Sequence, residues 1–232
     1  MQFGAIGDIH GDFAAVRRAM DAHPDAPFWL CVGDVADAEG RYEPLPSPLY
    51  WVKGNNENFD LIAEAARNAP PHALLDNLFY IPNGQLIEIG PGRRATPGLR
   101  VAGLGGTFAP TMYDTPAAAL PHPRKGSAKA TELADRRRHF VREEVYACKV
   151  MASVDVLLTH EAPRPFRAGR MDAGKTPINE VLAAMKPRLH LFGHHHRFAE
   201  AEVQGVRSVC LDLVSKSYLL VRLPALEYDV IS

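Results

Sequence analysis

Short apolar runs closed by turn residues alternate with helically spaced segments through the first third of the chain. Phe3 to Ile6, Phe28 to Val32 and Leu49 to Val52 read as buried strands. Asp12 to Ala22 and Glu57 to Arg67 read as helices between or after them, with Asp12 as an N-cap and Phe13, Val16, Arg17 and Met20 at helical spacing. This order is βαβ wiring. Farther on, Leu78 to Ile81, Gln85 to Ile89 and Leu99 to Leu104 are strand patterns separated by Gly- and Pro-rich turns, which predict hairpin-like connections. The Pro- and Ala-rich stretch from Pro110 to Gly126 reads as an irregular excursion, and Ala128 to Met151 as one long amphipathic helix with Phe140 on its core side. Val154 to Leu158 and Leu189 to Phe192 follow as strands around a helix at Pro177 to Met185. The tail, Glu200 to Val203, Val206 to Leu211 and Ser217 to Leu223, predicts a closing antiparallel meander.

Composition narrows the class. The chain has 232 residues, long enough for a large core, and is read as one domain over 1–232 with the excursion at about 108–150 as a lid. Lys and Arg number 26 against 27 for Asp and Glu, so a net charge of -1 excludes a bulk attraction to nucleic acid or anionic lipid. Three cysteines, Cys31, Cys148 and Cys210, have neither the number nor the spacing of a disulfide framework or a thiolate zinc site. With no basic leader and no apolar run of about 18 residues, the expectation is a cytoplasmic protein without a membrane partner.

Chemistry concentrates where strand patterns end. His194-His195-His196 follows the run Leu189 to Gly193, and Asp8 with His10, Asp34, Asn55 and His160 each follow a run of their own. Residues two apart on an extended chain share a face about 6.6 Å apart, so Asp8 with His10 and His194 with His196 can each aim at one place. His195 then faces away. Carboxylate, imidazole and amide oxygen together suit Mn, Fe or Zn better than Ca or a thiolate-loving metal, and the set as a whole points to two metals. Taken singly, Asp8 or Asp34 would be a turn cap and His160 or His190 a satisfied core histidine. His23, His72, His122 and His139 read as surface residues.

The ordered series Asp-x-His, Gly-Asp, Gly-Asn-x-Glu, an isolated His after a strand, and Gly-His-x-His resembles the calcineurin-like metallophosphoesterase superfamily over residues 7 to 196. The resemblance implies an α/β fold, a four-layer αββα sandwich of two mixed β-sheets flanked by helices. It implies that Asp8, His10 and His196 bind one divalent metal, that Asn55, His160 and His194 bind the other, and that Asp34 bridges them. Two cations roughly 3.5 to 4 Å apart can activate a water and neutralise a phosphoryl group during in-line attack. Mn, Fe, Zn and Ni all fit the donors.

Many phosphatases of the superfamily carry His after the block's Asn, where it protonates the leaving group, and here that residue is Asn56. An amide cannot be a general acid, a role that typically contributes about 10²- to 10⁴-fold. It can still hydrogen-bond a phosphate oxygen. The expected activity is therefore hydrolysis of a phosphodiester, with a metal- and phosphate-binding regulatory module as the alternative. Arg100 to Phe108 and Leu158 to Arg164 are similar to segments of the lariat-debranching branch, so the substrate class runs from a nucleotide or small phosphodiester to RNA. The protein Ser/Thr phosphatase branch fits less well, because Val35-Ala36-Asp37 replaces its Asp-Arg-Gly. Arg124 and Lys125 head a basic run with Lys129, Arg136, Arg137, Arg138 and Arg142, offset by Glu132, Asp135, Glu143 and Glu144; it reads first as a solvated helix face with salt-bridge partners and, as the functional alternative, as a phosphate-steering lid. No obligatory protein partner is implied.

Overall fold

A computed structural model describes residues 1–90, 98–121 and 135–232. Among these residues, strands numbered in chain order form two large sheets. The first has seven strands in the order β17 (Glu227–Ile231), β16 (Tyr218–Arg222), β1 (Gln2–Ile6), β2 (Trp29–Cys31), β3 (Leu49–Trp51), β5 (Leu78–Tyr80) and β4 (Ala73–Leu75). The second has six, β14 (Ala199–Val203), β15 (Val206–Cys210), β13 (Leu189–Phe192), β10 (Val156–Thr159), β7 (Leu99–Leu104) and β6 (Leu86–Ile89). Parallel pairing runs through β1, β2, β3 and β5 in one and through β7, β10, β13 and β15 in the other, with antiparallel strands toward the edges. Two short ribbons complete the strands, β8 (Thr107–Phe108) with β9 (His139–Phe140), and β11 (Arg167–Ala168) with β12 (Met171–Asp172).

Period-two alternation assigns each strand residue to a layer. Phe3, Ala5 and Leu30 from the first sheet meet Val101, Val156, Leu158, Leu189 and Leu191 from the second in a core between the sheets. The alternate residues Ile6, Trp29, Cys31 and Trp51 face outward against α1 (Phe13–Ala22) and α2 (Phe59–Ala65), through Phe13, Val16, Met20 and Ile62. On the far side Ala102, Leu104 and Leu157 pack on α3 (Arg142–Lys149) and α4 (Thr176–Met185), through Val145, Cys148, Val181 and Leu182. The result is the expected α/β arrangement, two mixed sheets face to face with helices outside. Strands covered on both faces also explain why the central ones read as continuous apolar runs. No helix among the described residues is long and apolar enough to cross a membrane.

Several expectations change. Asp12 does cap α1, accepting from the Ala15 N–H at 3.0 Å, but α2 begins at Phe59 because Asn58 caps it and Glu57 is committed elsewhere. The tail is not one meander. β14 and β15 belong to the second sheet while β16 and β17 return to the first. Likewise the turn at Pro82 to Gly84 passes the chain between sheets, so that of the three strands β5, β6 and β7 it is β6 and β7 that pair as a hairpin.

The long helix over 128–151 is broken. Residues 128–134 lie outside the described residues, Arg136–Arg138 is a 3-10 turn, and His139 and Phe140 pair with Thr107 and Phe108. The buried ammonium of Lys53 donates to the Arg137 carbonyl at 2.8 Å and that of His139 at 3.1 Å, diverting them from a helical ladder. Phe140 is fully buried as expected. His72 and His139 are buried rather than on the surface, held by Gln85 and Thr107 respectively.

Candidate metal centre

Parallel strands place their carboxyl ends along one edge, and five chemically equipped loops leave that edge together. Asp8 and His10 follow β1, Asp34 follows β2, Asn55 follows β3, His160 follows β10, and His194 and His196 follow β13. The loops come from both sheets, so the cluster lies across the top of the sandwich.

The donor atoms fall into two groups that share Asp8 and Asp34 at their centre. His196 Nε2 lies 3.1 Å from Asp8 Oδ2 and 3.1 Å from His10 Nε2. His160 Nε2 lies 3.1 Å from Asn55 Oδ1 and 3.1 Å from His194 Nδ1. Asp34 Oδ2 stands between them, 3.6 Å from His10 Nε2 and 3.7 Å from His160 Nε2. Metal–nitrogen bonds of roughly 2.0–2.1 Å put neighbouring ligand atoms about 3 Å apart, the spacing seen in each group. Asp8, His10 and His196 form one set that could hold an ion, and Asp8, Asp34 and His160 another.

The surrounding backbone orients these donors. Asp34 Oδ1 accepts the Asn56 N–H at 2.7 Å, leaving Oδ2 free toward both groups. Asp8 accepts the His194 N–H at 3.1 Å. His160 Nδ1 lies 2.9 Å from the Val32 carbonyl, and an N–H donated there leaves Nε2 unprotonated and available. His10, Asp34, His194 and His196 adopt positive φ of 48°, 51°, 70° and 47°. Such conformations cost about 1–3 kcal/mol each and cluster where side-chain direction matters more than backbone comfort. Gly54 and Gly193 give room: a Cβ would stand 2.0 Å from Asp34 Oδ1 at residue 54 and 2.3 Å from Asp8 Oδ1 at residue 193.

A profile of calcineurin-like phosphoesterases matches residues 1–198. The chain belongs to that family. Family membership implies divalent metal ions and a phosphoester substrate, and the Asp and His groups above have the chemistry to bind such ions. The chain is similar to the lariat debranching enzyme of Schizosaccharomyces pombe, 25% identical over 212 residues. That match covers 81% of this chain and 42% of the relative, so the chain spans less than half the curated relative's length. Among solved structures, TT1561 of Thermus thermophilus aligns over 100% of this chain and 98% of its own at 15% identity, TM-score 0.61. The calcineurin-like phosphoesterase YfkN of Bacillus subtilis aligns over 100% and 88% at 11% identity, TM-score 0.51. At these identities the likeness is one of fold.

Electrostatics within this family member's site follow from burial and opposed charges. Burial pushes the Asp8 carboxyl up, but the His196 hydrogen bond and the His160 charge outweigh it and hold the group below the ordinary carboxylate range. Burial and the neighbouring His160 push His194 down to about 4, which keeps it neutral, the form that can ligate. For His160 burial pulls down, while Asp34 and Asp8 together raise it.

Other residues singled out from the sequence sort differently. The Asn56 amide donates to the Ala36 carbonyl at 3.4 Å while its N–H serves Asp34. His195 turns from the donor groups and stacks on Phe166, ring centroids 4.4 Å apart. His190 is the buried, satisfied histidine expected, between Thr159 at 2.9 Å and Ser208 at 3.1 Å. Arg124 and Lys125 lie outside the described residues.

Two acids that lie within the sequence motifs but carry no assigned role there also shape the site. Glu57, the last letter of the Gly-Asn-x-Glu block, accepts from the N–H groups of Val35, Ala36 and Gly54 at 3.1, 3.3 and 3.2 Å and from the Tyr42 hydroxyl at 2.9 Å. It thus ties the Asp34 loop to the Asn55 loop. Burial, with Asp34 nearby, raises its carboxyl to about 8. Glu161, beside His160, accepts the Phe108 N–H at 3.1 Å and draws β8 toward the site. The Gly-Asn-x-Glu block was a signal for Glu57, and the His-acid-x-Pro turn from His160 to Pro163 was one for Glu161.

Proposed function

We propose that the chain is a phosphodiesterase working with two divalent cations, from among Mn, Fe, Zn and Ni. In this proposal Asp8, His10 and His196 hold one ion, Asn55, His160 and His194 the other, and Asp34 lies between. The observation that carries the reading is the position of Asp34 Oδ2, nearly equidistant from His10 and His160. Bound cations would supply Lewis-acid polarisation of a phosphoryl oxygen and a water made acidic enough to act as nucleophile near neutral pH.

The chain's own residues divide the remaining work. Asp34, fixed by the Asn56 N–H, sets the register of the two donor groups. Glu57 holds the two loops that carry Asp34 and Asn55 at constant separation. Asn56, released from its long contact with Ala36, can donate to a phosphate oxygen but delivers no proton to a leaving group. Hydrolysis here therefore cannot draw a proton from residue 56, which counts against the monoesterase chemistry that uses a His at this position. Three free, buried cysteines fit a reducing compartment, and the cytoplasm is the proposed setting.

Turnover of bis(p-nitrophenyl) phosphate with added Mn²⁺, together with metal analysis of the same protein, tests the reading. Asp34→Asn should abolish turnover and lower the bound metal. A fully metallated wild-type preparation inert on a broad panel of diesters would overturn it. The presence of Asn56 favours a second reading, a metal- and phosphate-binding module without turnover. That reading expects metal binding without hydrolysis and a gain of monoesterase activity in Asn56→His.

A further inference from the structure

The loop after His160 carries cations outward from the rim of the centre. Residues 162–175 leave the end of β10, form the β11–β12 ribbon and return at Lys175, whose N–H bonds the Ala162 carbonyl at 2.9 Å. Asp172 closes the loop from within, accepting from the N–H of Phe166 at 2.9 Å, that of Gly174 at 3.0 Å and the Arg164 guanidinium at 2.9 Å. Asn179 clamps Arg164 from α4, accepting its N–H at 2.7 Å and donating to its carbonyl at 2.6 Å. Phe166 fastens the loop to the centre: it stacks on His195, meets Phe192 edge-on at 5.4 Å, and lies under the Arg197 guanidinium at 4.4 Å. A loop so braced is a pre-formed arm.

Its charge is lopsided. Four cations, Arg164, Arg167, Arg170 and Lys175, face one acid, Asp172, in a chain whose net charge is -1. Arg164 is the one that Asp172 neutralises. Exposed Arg167, Arg170 and Arg197 have no carboxylate partner among the described residues, and Lys175 is 3.7 Å from Glu161, close enough for its charge to depress His194 and His195. Two described cations of the basic run around residues 124–142 are paired instead. Arg137 is engaged by Asp135 and Asp60, and Arg142 by Asp114.

The geometry points to a second anion subsite, in which Lys175 and Arg197 beside the centre and Arg167 and Arg170 along the ribbon take the phosphates flanking the scissile one in a single-stranded oligonucleotide. This deepens the phosphodiesterase reading and rests on it. Cations in series match phosphates in series, whereas a small diester has no phosphate beyond the scissile one. The centre opens to solvent on the side of His10 and His196, whose side chains are 35% and 43% exposed, and a pliable single strand can bring a phosphate there without unpairing bases. Guanidinium groups suit the task because their fork matches phosphate oxygens.

The test is fluorescence anisotropy of a fluorescein-labelled ten-residue oligothymidylate with metal-free protein between 50 and 200 mM salt, so binding is read without turnover. The Arg167→Ala/Arg170→Ala variant should bind about 10-fold more weakly at low salt and flatten the log–log salt dependence by about 1.4, roughly 0.7 per lost contact. Its thermal unfolding and its turnover of bis(p-nitrophenyl) phosphate should match wild type, and Arg18→Ala, on the exposed face of α1, should bind as wild type. An unaltered affinity and salt slope in the double variant, or no binding by wild type, overturns the subsite. Binding that persists in a protein without diesterase activity counts against the phosphodiesterase reading and leaves the subsite standing.

Discussion

Gly54→Ala perturbs the proposed centre at a single residue, Asp34. The added Cβ would stand 2.0 Å from Asp34 Oδ1 and 2.4 Å from the Asp34 backbone nitrogen, where real Cβ contacts are essentially never under 3.0 Å. Gly54 has no positive φ, so alanine strains no backbone torsion and the clash falls on Asp34. Asp34 must retreat, backbone as well as carboxylate, by about 1 Å, several times the tolerance of a coordination bond. A displacement of that size near the reacting atoms costs about 10²-fold in rate, equivalent to about 2.7 kcal/mol of barrier. The assay is kcat for bis(p-nitrophenyl) phosphate at saturating Mn²⁺, with metal content measured on the same sample by mass spectrometry. Gly205→Ala is the control. It adds the same methyl at φ 74° where nothing lies within 4 Å, and should lower stability by about 1 kcal/mol without changing kcat. A Gly54→Ala protein with kcat and metal content within twofold of wild type would refute the proposed role of Asp34.

Three further outcomes follow from the same structure. Glu57→Ala leaves three backbone N–H groups and the Tyr42 hydroxyl without their acceptor, at about 1–3 kcal/mol for each donor that stays dry, so urea unfolding should show a loss of at least about 3 kcal/mol, accompanied by weaker metal retention. Lys53→Met keeps the packing and removes the donor to the Arg137 and His139 carbonyls, so amide exchange across 136–140 should accelerate by 10-fold or more while α1 stays protected. Burial lowers His190 to about 3 in the folded chain, against about 6.5 when unfolded; between those values only the unfolded chain takes up the proton, so acid destabilises the fold. Urea titrations should show this histidine contributing a loss of about 2 kcal/mol between pH 7 and 5, and His190→Gln should lose correspondingly less over that interval.

The strands were legible in the sequence because those covered on both faces leave apolar runs, as at Trp29–Cys31 and Leu49–Trp51. The residues of the centre were legible for a related reason: each follows such a run, and parallel strands carry their following residues to one edge. Sheet membership was not legible. The turn at Pro82 to Gly84 and the stretch between β15 and β16 have ordinary turn composition, yet each takes the chain from one sheet to the other. The helix over 128–151 failed because local propensity counts helix formers, whereas Lys53, far away in sequence, claims the carbonyls that would propagate it. Runs of Arg and Lys look alike in sequence until Arg137 and Arg142, with their acidic partners, are set beside Arg167 and Arg170, which have no carboxylate partner among the described residues.

The left-handed backbone at His10, Asp34, His194 and His196 sets activity and robustness against each other. Asparagine and glycine tolerate that region better than aspartate or histidine, so Asp34→Asn, the substitution that disables the proposed site, should also relax the chain and raise its melting temperature. Selection for heat resistance alone would then dismantle the centre residue by residue, each step yielding a sturdier protein. Among natural variants or engineered libraries of this fold, an unusually stable member with Asn or Gly at these four positions is one whose chemistry has been given up.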